Sequence, residues 1–226
     1  PCTLPQRLPT RLVMRMPIGF WQNSAAQHSQ SLEAWFAHLP GVVVMCPATP
    51  QDNYSMLTHA LRGEDPVIYM ENKELWGLQG DVDDSVVHVP GRAQVLRQGT
   101  DLTLVSWSAA VHTTLKAADE LTAQGVSASV IDLGTLWPWD RQTVIEDTAR
   151  TGRLLVVHDA VQAAGFGAEV AATAVQATGC RIGRLGAPRI PVGYASRLEA
   201  VARISPAAVI EAARTLMAEA AQAALA

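Results

Sequence analysis

Residues 101–133 read DLTLVSWSAAVHTTLKAADELTAQGVSASVIDL, and this stretch is the clearest indication of the fold. It contains two short apolar runs, 102–107 and 127–133, which have the length of buried strands. Between them, residues 109–124 follow a helical pattern that ends at Gly125, since glycine tolerates the left-handed conformation in which many helices end. The order strand, helix, strand is typical of a parallel sheet covered by helices.

The same alternation continues toward the C-terminus and predicts an α/β fold. Asp140 has the side chain of a helix N-cap, and Gly179 has the place of a helix stop. Ser205-Pro206 opens an alanine-rich terminal helix. The segments predicted between these points are a helix from Asp140 to about Arg150, a strand at 152–158, a helix at 167–178 and a strand at 181–185.

A second, shorter set of elements precedes residue 90. Thr49-Pro50-Gln51-Asp52 has the cap, the early proline and the acidic third position of a helix start, and this helix is predicted to reach about Arg62. Residues 72–100 have little apolar periodicity, so we place the boundary there and predict two domains, 1–90 and 91–226. The remaining predicted elements are strands at 11–16, 41–46 and 67–70 and a helix at 31–38.

Composition limits the classes of function. The chain has 226 residues and a formal net charge of -4, with no block of like charge, which argues against a nucleic-acid or anionic-membrane partner. No apolar run approaches the ~20 residues of a membrane span, and the first residues, PCTLPQRLPT, contain no signal core, so a cytoplasmic location is expected. The three cysteines, Cys2, Cys46 and Cys180, are far apart and suggest neither a zinc site nor a disulfide framework.

Three short motifs carry residues that could do chemistry. His28 lies in a polar stretch between a strand and a helix, where it is either a proton-transfer group or an ordinary loop histidine. Gly165-Phe166-Gly167 opens a helix, but Val170 stands where a dinucleotide fingerprint needs glycine or alanine, so close packing explains it better. His158-Asp159 ends a strand, yet the chain has no Gly-x-Ser-x-Gly motif to complete a hydrolase triad.

In order and spacing, these segments resemble one family. The stretch is HSQSLEAWFAHLPGVVVMCPATPQDNYSMLTHALRGEDPVIYMENKELW at 28–76, followed by VIDLGTLWPWD, TGRLLVVHDA and GFGAEVAATAV. It resembles the beta subunit of thiamine diphosphate-dependent 2-oxoacid dehydrogenases of the pyruvate and branched-chain type, in the transketolase-like superfamily. The resemblance implies an incomplete pyrimidine-type domain followed by a transketolase C-terminal domain with a mainly parallel sheet flanked by helices.

The resemblance also implies a function, partners and a catalytic residue. Such beta subunits pair with an alpha subunit in a heterotetramer that decarboxylates a 2-oxoacid and transfers the acyl or aldehyde unit to a lipoyl domain or another acceptor. Thiamine diphosphate lies across the subunit interface, magnesium is held by the alpha subunit, and the histidine matching His28 reaches the active site. A lipoyl acyltransferase or carrier protein is a further expected partner, and the C-terminal domain is expected to self-associate.

A potassium site is implied in the same way, because family members hold this ion largely through main-chain oxygens. The helix end and turn at Arg62-Gly63-Glu64-Asp65-Pro66 can also be interpreted as a simple helix stop. The positions that match the potassium site are Leu12, Ala60, Leu61, Gly63 and Asp65.

The chain departs from the family pattern in two regions. The family's N-terminal part, with the glutamate that protonates the pyrimidine ring, has no counterpart in this sequence. Where many relatives have a glycine-rich segment, this chain has Gly19-Phe20-Trp21-Gln22-Asn23-Ser24. The first departure leaves three alternatives open: the sequence is a fragment, a separate polypeptide completes the domain, or the chain has lost the activity and is a non-catalytic, transketolase-like interaction and assembly subunit.

Overall fold

The computed structural model describes residues 10–223, so that residues 1–9, with Cys2, and residues 224–226 lie outside the described part. The described residues form nine strands: β1 (Val13–Ile18), β2 (Val43–Met45), β3 (Val67–Asn72), β4 (Gln94–Arg97), β5 (Leu102–Ser106), β6 (Ala128–Asp132), β7 (Thr135–Trp137), β8 (Arg153–Val161) and β9 (Arg181–Ala187). They also form seven α-helices: α1 (Glu33–Ala37), α2 (Pro50–Arg62), α3 (Ala110–Ala123), α4 (Arg141–Thr151), α5 (Gly167–Thr178), α6 (Ser196–Ala202) and α7 (Pro206–Ala223). Short 3-10 turns cover Ala26–His28 and Lys73–Leu75.

The strands form two sheets, and both are mainly parallel. The first has the order β1-β3-β2-β7, in which only β7 runs antiparallel to its neighbour. The second has the order β4-β6-β5-β8-β9, in which only β4 is antiparallel. The α/β fold class with a mainly parallel sheet is therefore confirmed.

Helix boundaries follow the capping signals of the sequence. Thr49 and Asp52 bond reciprocally at the start of α2, because each side chain accepts the other residue's backbone N–H. Asp140 accepts the backbone N–H of Thr143 at the start of α4. Gly152 and Gly179 end α4 and α5 with φ of 70° and 66°, a conformation that costs glycine little.

Two strands were not predicted, and both bear on how the halves of the chain meet. The segment 72–100, interpreted as a boundary without periodicity, contains β4, a largely exposed edge strand that lacks an apolar run. The three-residue strand β7 pairs with β2, so the first sheet takes one strand from beyond residue 90. The division into 1–90 and 91–226 stays a prediction.

The apolar core is continuous between the two sheets. One buried cluster contains Val44 and Met70 of the first sheet together with Val105 and Val156 of the second. A second cluster fills the space between the five-stranded sheet and the helices α3 and α7. Because the first cluster spans both sheets, the two sheets share one apolar core.

Candidate functional site

His28 lies on the loop that connects β1 to α1, at the carboxyl end of the first sheet. The side chain is exposed, and the base of the loop is closed by a hydrogen bond from Gly19 N to Gln30 O of 3.0 Å. Three residues before His28 have left-handed backbone conformations, with φ of 42° at Gln22, 60° at Asn23 and 54° at Ala25. Non-glycine residues rarely adopt this conformation, so the loop needs outside contacts to keep its shape.

Gly19 is required where the loop leaves β1. Its φ is 80°, and a Cβ atom there would lie 2.5 Å from the amide group of Asn72. Asn72 is buried at the end of β3, opposite Ile18 in the strand register, and its Oδ1 accepts the N–H of Glu74 at 3.1 Å. The close approach of Gly19 to Asn72 therefore fixes the direction in which the loop begins.

The other end of the loop is fixed by Glu33, the first residue of α1. This carboxylate is buried, and Trp107, which follows β5, donates its indole N–H to Oε1 at 2.9 Å. Burial raises the pKa of Glu33, although the Trp107 hydrogen bond acts in the opposite direction. Ser29 Oγ and Glu33 Oε2 are buried without a hydrogen-bond partner in the described chain. Both groups retain capacity for a further polar contact.

His158, from the end of β8, packs against the same tryptophan. Its ring is fully buried, stacks on Trp107 with centroids 5.0 Å apart, and donates Nδ1–H to Ala160 O at 3.0 Å. Burial lowers the pKa of His158 to about 4. His158 is therefore neutral near pH 7 and has no access to solvent.

Three glycines surround the His158 ring and explain the motif at 165–167. A Cβ atom would lie 2.8 Å from His158 Cε1 at Gly165, 2.7 Å from Nε2 at Gly167 and 2.7 Å from Cε1 at Gly186. Side chains cannot approach so closely without a shift of the ring. The interpretation of Gly165-Phe166-Gly167 as a close-packing motif is confirmed, because its glycines face a buried ring.

A group of charged side chains lies beside the loop. Arg203, which follows α6, donates from Nη2 to Glu199 Oε1 at 2.7 Å and from Nη1 to Glu74. Burial raises the pKa of Asp159 to about 7, with Glu74 and Glu33 adding to the shift and Arg203 opposing it. Glu199 also reaches the loop, since its Oε2 accepts the N–H of Asn23 at 2.8 Å. No local sequence signal predicts this group, because its members come from distant parts of the chain.

A cleft of about 710 Å³ begins next to Asn72 and runs between α2 and the exposed Trp76. Trp76 meets Trp21 of the loop edge to face, with centroids 5.8 Å apart. The cleft therefore reaches the base of the His28 loop. Sequence reasoning missed Trp76, since one aromatic residue in a polar segment has no distinguishing pattern.

The structure brings the five positions matched to a potassium site into one corner, at the amino ends of β1 and β3. Leu12 O accepts the N–H of Val67 at 2.8 Å, and Thr10 N donates to Glu64 O at 3.0 Å, which holds the start of β1 against the turn after α2. Gly63 ends α2, and its N–H donates to His59 O, so carbonyl groups of the last turn have no following helical turn to bond. Since β1 and β3 are parallel, this corner lies at the opposite end of the sheet from His28. Potassium binding stays a prediction.

Two family matches divide the chain in the same order as the two sets of elements. Residues 5–79 match the transketolase, pyrimidine binding domain, and residues 91–209 match the transketolase, C-terminal domain. The chain belongs to the transketolase family. Its five-stranded sheet is the core of the transketolase C-terminal domain, and the His28 loop lies in the pyrimidine-binding part.

Curated relatives support the finer resemblance to beta subunits. The chain is 39% identical over 213 residues to the acetoin:2,6-dichlorophenolindophenol oxidoreductase subunit beta of Cupriavidus necator, covering 92% of this chain and 63% of that protein. It is 38% identical over 213 residues to the 2-oxoisovalerate dehydrogenase subunit beta of Bacillus subtilis, with 91% and 65% covered. The pyruvate dehydrogenase E1 component subunit beta of Rhizobium meliloti is 37% identical over 212 residues, with 91% and 46% covered.

A solved structure of a split gene transketolase, in the form of an inactive beta4 tetramer, confirms the transketolase fold. It superposes with a TM-score of 0.79 at 22% identity, covering 91% of this chain and 66% of that one. The resemblance to beta subunits of the pyruvate and branched-chain type is confirmed by the relatives, which are named as beta subunits of enzymes. This transketolase-type chain spans about half to two thirds of the length of these relatives. No helix among residues 10–223 is long and apolar enough to cross a membrane.

Proposed function

We propose that this chain is a beta-type subunit of a thiamine diphosphate-dependent enzyme that decarboxylates a 2-oxoacid and transfers the acyl or aldehyde unit. The observation that carries the proposal is the exposed His28 on a loop clamped at the carboxyl end of a sheet that matches the pyrimidine-binding family. In open α/β sheets, ligands bind at this end of the strands. The relatives are named for reactions of pyruvate, 2-oxoisovalerate and acetoin, so the substrate belongs to this group of small carbonyl compounds.

His28 is the residue that moves a proton. An imidazole can accept a proton from one group and return it to another within a catalytic cycle, and the His28 ring is exposed to a bound molecule. The hydrogen bond from Trp107 to Glu33 fixes the chain on the C-terminal side of His28, and the close approach of Gly19 to Asn72 fixes the start of the loop. These fixed ends hold the backbone that carries the exposed imidazole.

Thiamine diphosphate would supply the electron sink for cleavage of the bond next to the carbonyl group. The residues of this chain fit one side of such a site, since they offer a proton-transfer group and the cleft at Trp76. The diphosphate and its magnesium would be held by an alpha-type partner subunit. The carboxylate that protonates the pyrimidine ring would come from a residue outside the 226 of this sequence.

Further partners follow from the same proposal. The acceptor of the acyl unit is a lipoyl acyltransferase or carrier protein, and two copies of the chain associate through the C-terminal domain. A potassium ion at the corner of Leu12 and Gly63 would brace the turn after α2.

The test is a reconstituted complex of the chain, an alpha-type subunit and the segment that completes the pyrimidine domain. Relative to the unmodified chain, His28→Ala should leave thiamine diphosphate binding unchanged and slow acyl transfer by roughly 10²-fold or more, because a positioned proton-transfer group is lost. His38→Ala is the matched control, since His38 is also exposed but lies at the far end of α1. Pyruvate, 2-oxoisovalerate and acetoin are assayed in parallel.

Two outcomes would contradict the proposal. Equal turnover of His28→Ala and His38→Ala would remove the role of His28. A complex that binds thiamine diphosphate but turns over none of the three substrates would favour the alternative, a non-catalytic interaction and assembly subunit.

A further inference from the structure

We infer that Arg203 is a positioning residue that holds the His28 loop in its working shape from the opposite half of the chain. This inference rests on the proposed role of His28. Arg203 itself touches no reacting group. It acts through Phe20 and Glu199, the two side chains that fasten the loop.

The first contact is with Phe20, the second residue after the strand β1. The ring is 3% exposed, and the Arg203 guanidinium carbon lies 4.8 Å from its centroid. A guanidinium over an aromatic face at this distance is attracted by the ring and covers it from water.

The second contact runs through Glu199. Arg203 binds Oε1 of Glu199 with two nitrogens, Nε at 2.8 Å and Nη2 at 2.7 Å. The other oxygen, Oε2, accepts the N–H of Asn23 at 2.8 Å. Asn23 is the middle one of the residues with left-handed backbone conformations, and this bond is the contact that holds its amide. The guanidinium thus keeps the carboxylate aimed at the strained turn.

The positive charge of Arg203 also balances the acidic side chains around it. Glu199 is 5% exposed, Glu74 also binds the guanidinium, and Asp159 lies within electrostatic range of both Glu74 and Arg203. Without the arginine, these acidic groups would repel one another beside the loop. The carboxylate of Glu199 would then rotate toward solvent and release Asn23.

The decisive measurement is amide hydrogen exchange of the purified full chain, with Asn23 resolved from its neighbours. Arg203→Met keeps the aliphatic stem and removes the charge, and it should speed exchange of Asn23 by about tenfold or more while the amides of β5 and β8 keep their protection. Arg197→Met is the matched control on α6, because Arg197 is exposed and makes no ion pair in the described chain. Arg203→Lys keeps a charge but not the two-nitrogen grip, so its exchange should lie between these two variants.

A second variant protects the test if Arg203→Met does not fold. Phe20→Leu removes the ring under the guanidinium and leaves every charge in place, and it should also speed Asn23 exchange. Exchange of Asn23 in Arg203→Met or Phe20→Leu equal to that in Arg197→Met would overturn the inference.

Kinetics of the reconstituted complex separate positioning from general stability. Arg203→Met should lower kcat for acyl transfer about tenfold with KM for the 2-oxoacid unchanged, and Arg203→Lys should restore part of kcat. Unchanged kcat in Arg203→Met would also overturn the inference. If the unmodified complex has no turnover but Arg203→Met still speeds amide exchange of Asn23, Arg203 holds the loop and the proposed function fails.

Discussion

His28 lies on the loop after β1 and His158 lies in the carboxyl-terminal half of β8, yet their surroundings are opposite. His28 is exposed on a loop with strained backbone, whereas His158 is fully buried between Trp107 and three glycines. The order of the five-stranded sheet reverses at β5, so the crevice between β5 and β8 is where a doubly wound sheet would receive a ligand. Here that crevice is filled by side chains.

The contrast separates an edge that is closed by packing from an edge whose loop leaves His28 open to solvent. Trp107 fills the crevice of the second sheet and also donates a hydrogen bond to Glu33, the residue that ends the His28 loop region. Through this hydrogen bond, the packed side chains of the second sheet hold the end of the His28 loop in the first. Changes to His158 and its glycines should reduce stability, and changes to His28 should alter activity alone.

The greatest loss of stability is expected from filling the space around His158. Gly186→Ala should lower the free energy of unfolding by about 3 kcal/mol, since the new methyl group would meet the His158 ring at 2.7 Å and the backbone oxygen of Ala160 at 2.9 Å. Urea denaturation measures the loss. Gly77→Ala is the control and should change stability by less than about 0.5 kcal/mol, because nothing lies within 4 Å of its Cβ position.

Gly167 tests whether the ring itself is the obstacle. All three atoms nearest to its Cβ position belong to side chains, two of them to His158. In a double-mutant cycle, Gly167→Ala should therefore cost less in a His158→Ala background, whereas Gly186→Ala should keep most of its cost because backbone atoms obstruct it. If each glycine substitution lowered the free energy of unfolding equally in both backgrounds, the His158 ring would not be the obstacle at Gly167.

Local rules predicted most helices of the fold. The capping box at Thr49, the N-cap at Asp140 and the stop at Gly179 act within four residues of the helix they bound, so the sequence displays them directly. The strands β4 and β7 were missed for a physical reason, since one is exposed and the other has three residues, so neither produces an apolar run.

The candidate site was predictable only in part. His28 stood out because a polar loop after a strand is a local feature, and the family resemblance gave it a role. Its supports were not predictable, because Glu199 bonds Asn23 across 176 positions of the chain and Trp107 bonds Glu33 across 74. Such contacts depend on how the two halves pack, which composition and periodicity do not specify.

A smaller effect, dependent on pH, is expected at Asp159. Its pKa rises from 3.8 to about 7 on folding, so between these values the folded chain binds more protons than the unfolded chain, and its stability falls as pH rises. His158 acts in the opposite direction, since its pKa falls from 6.5 to about 4 and its contribution to stability grows with pH. The two neighbours partly cancel between pH 4 and 6.5.

Asp159→Asn removes the contribution of Asp159 to the pH dependence of stability and leaves that of His158. Relative to the unmodified chain, the variant should gain about 1–2 kcal/mol of stability as pH rises from 4 to 8, after allowance for solvent near this half-buried group. The charged groups that face it, Glu74, Glu33 and Arg203, stay in place. Thermal unfolding at pH 4, 6 and 8 measures the gain, and a difference that is constant across these values would contradict the assignment.

The least change in stability is expected at His28, and it decides how the activity tests are interpreted. His28→Gln should change the free energy of unfolding by less than about 0.5 kcal/mol, because the side chain is exposed and the bond that holds this residue, from His28 N to Ala25 O, belongs to the backbone. Urea denaturation at pH 7 gives the value. A loss above about 1 kcal/mol would mean that the imidazole helps to fold the loop, and slower turnover in His28→Ala would then follow from a displaced backbone as readily as from a missing proton carrier. If stability is unchanged, proton transfer is the property that the substitution removes. The exposed His28 would then differ from the buried His158 in acting on activity and not on stability.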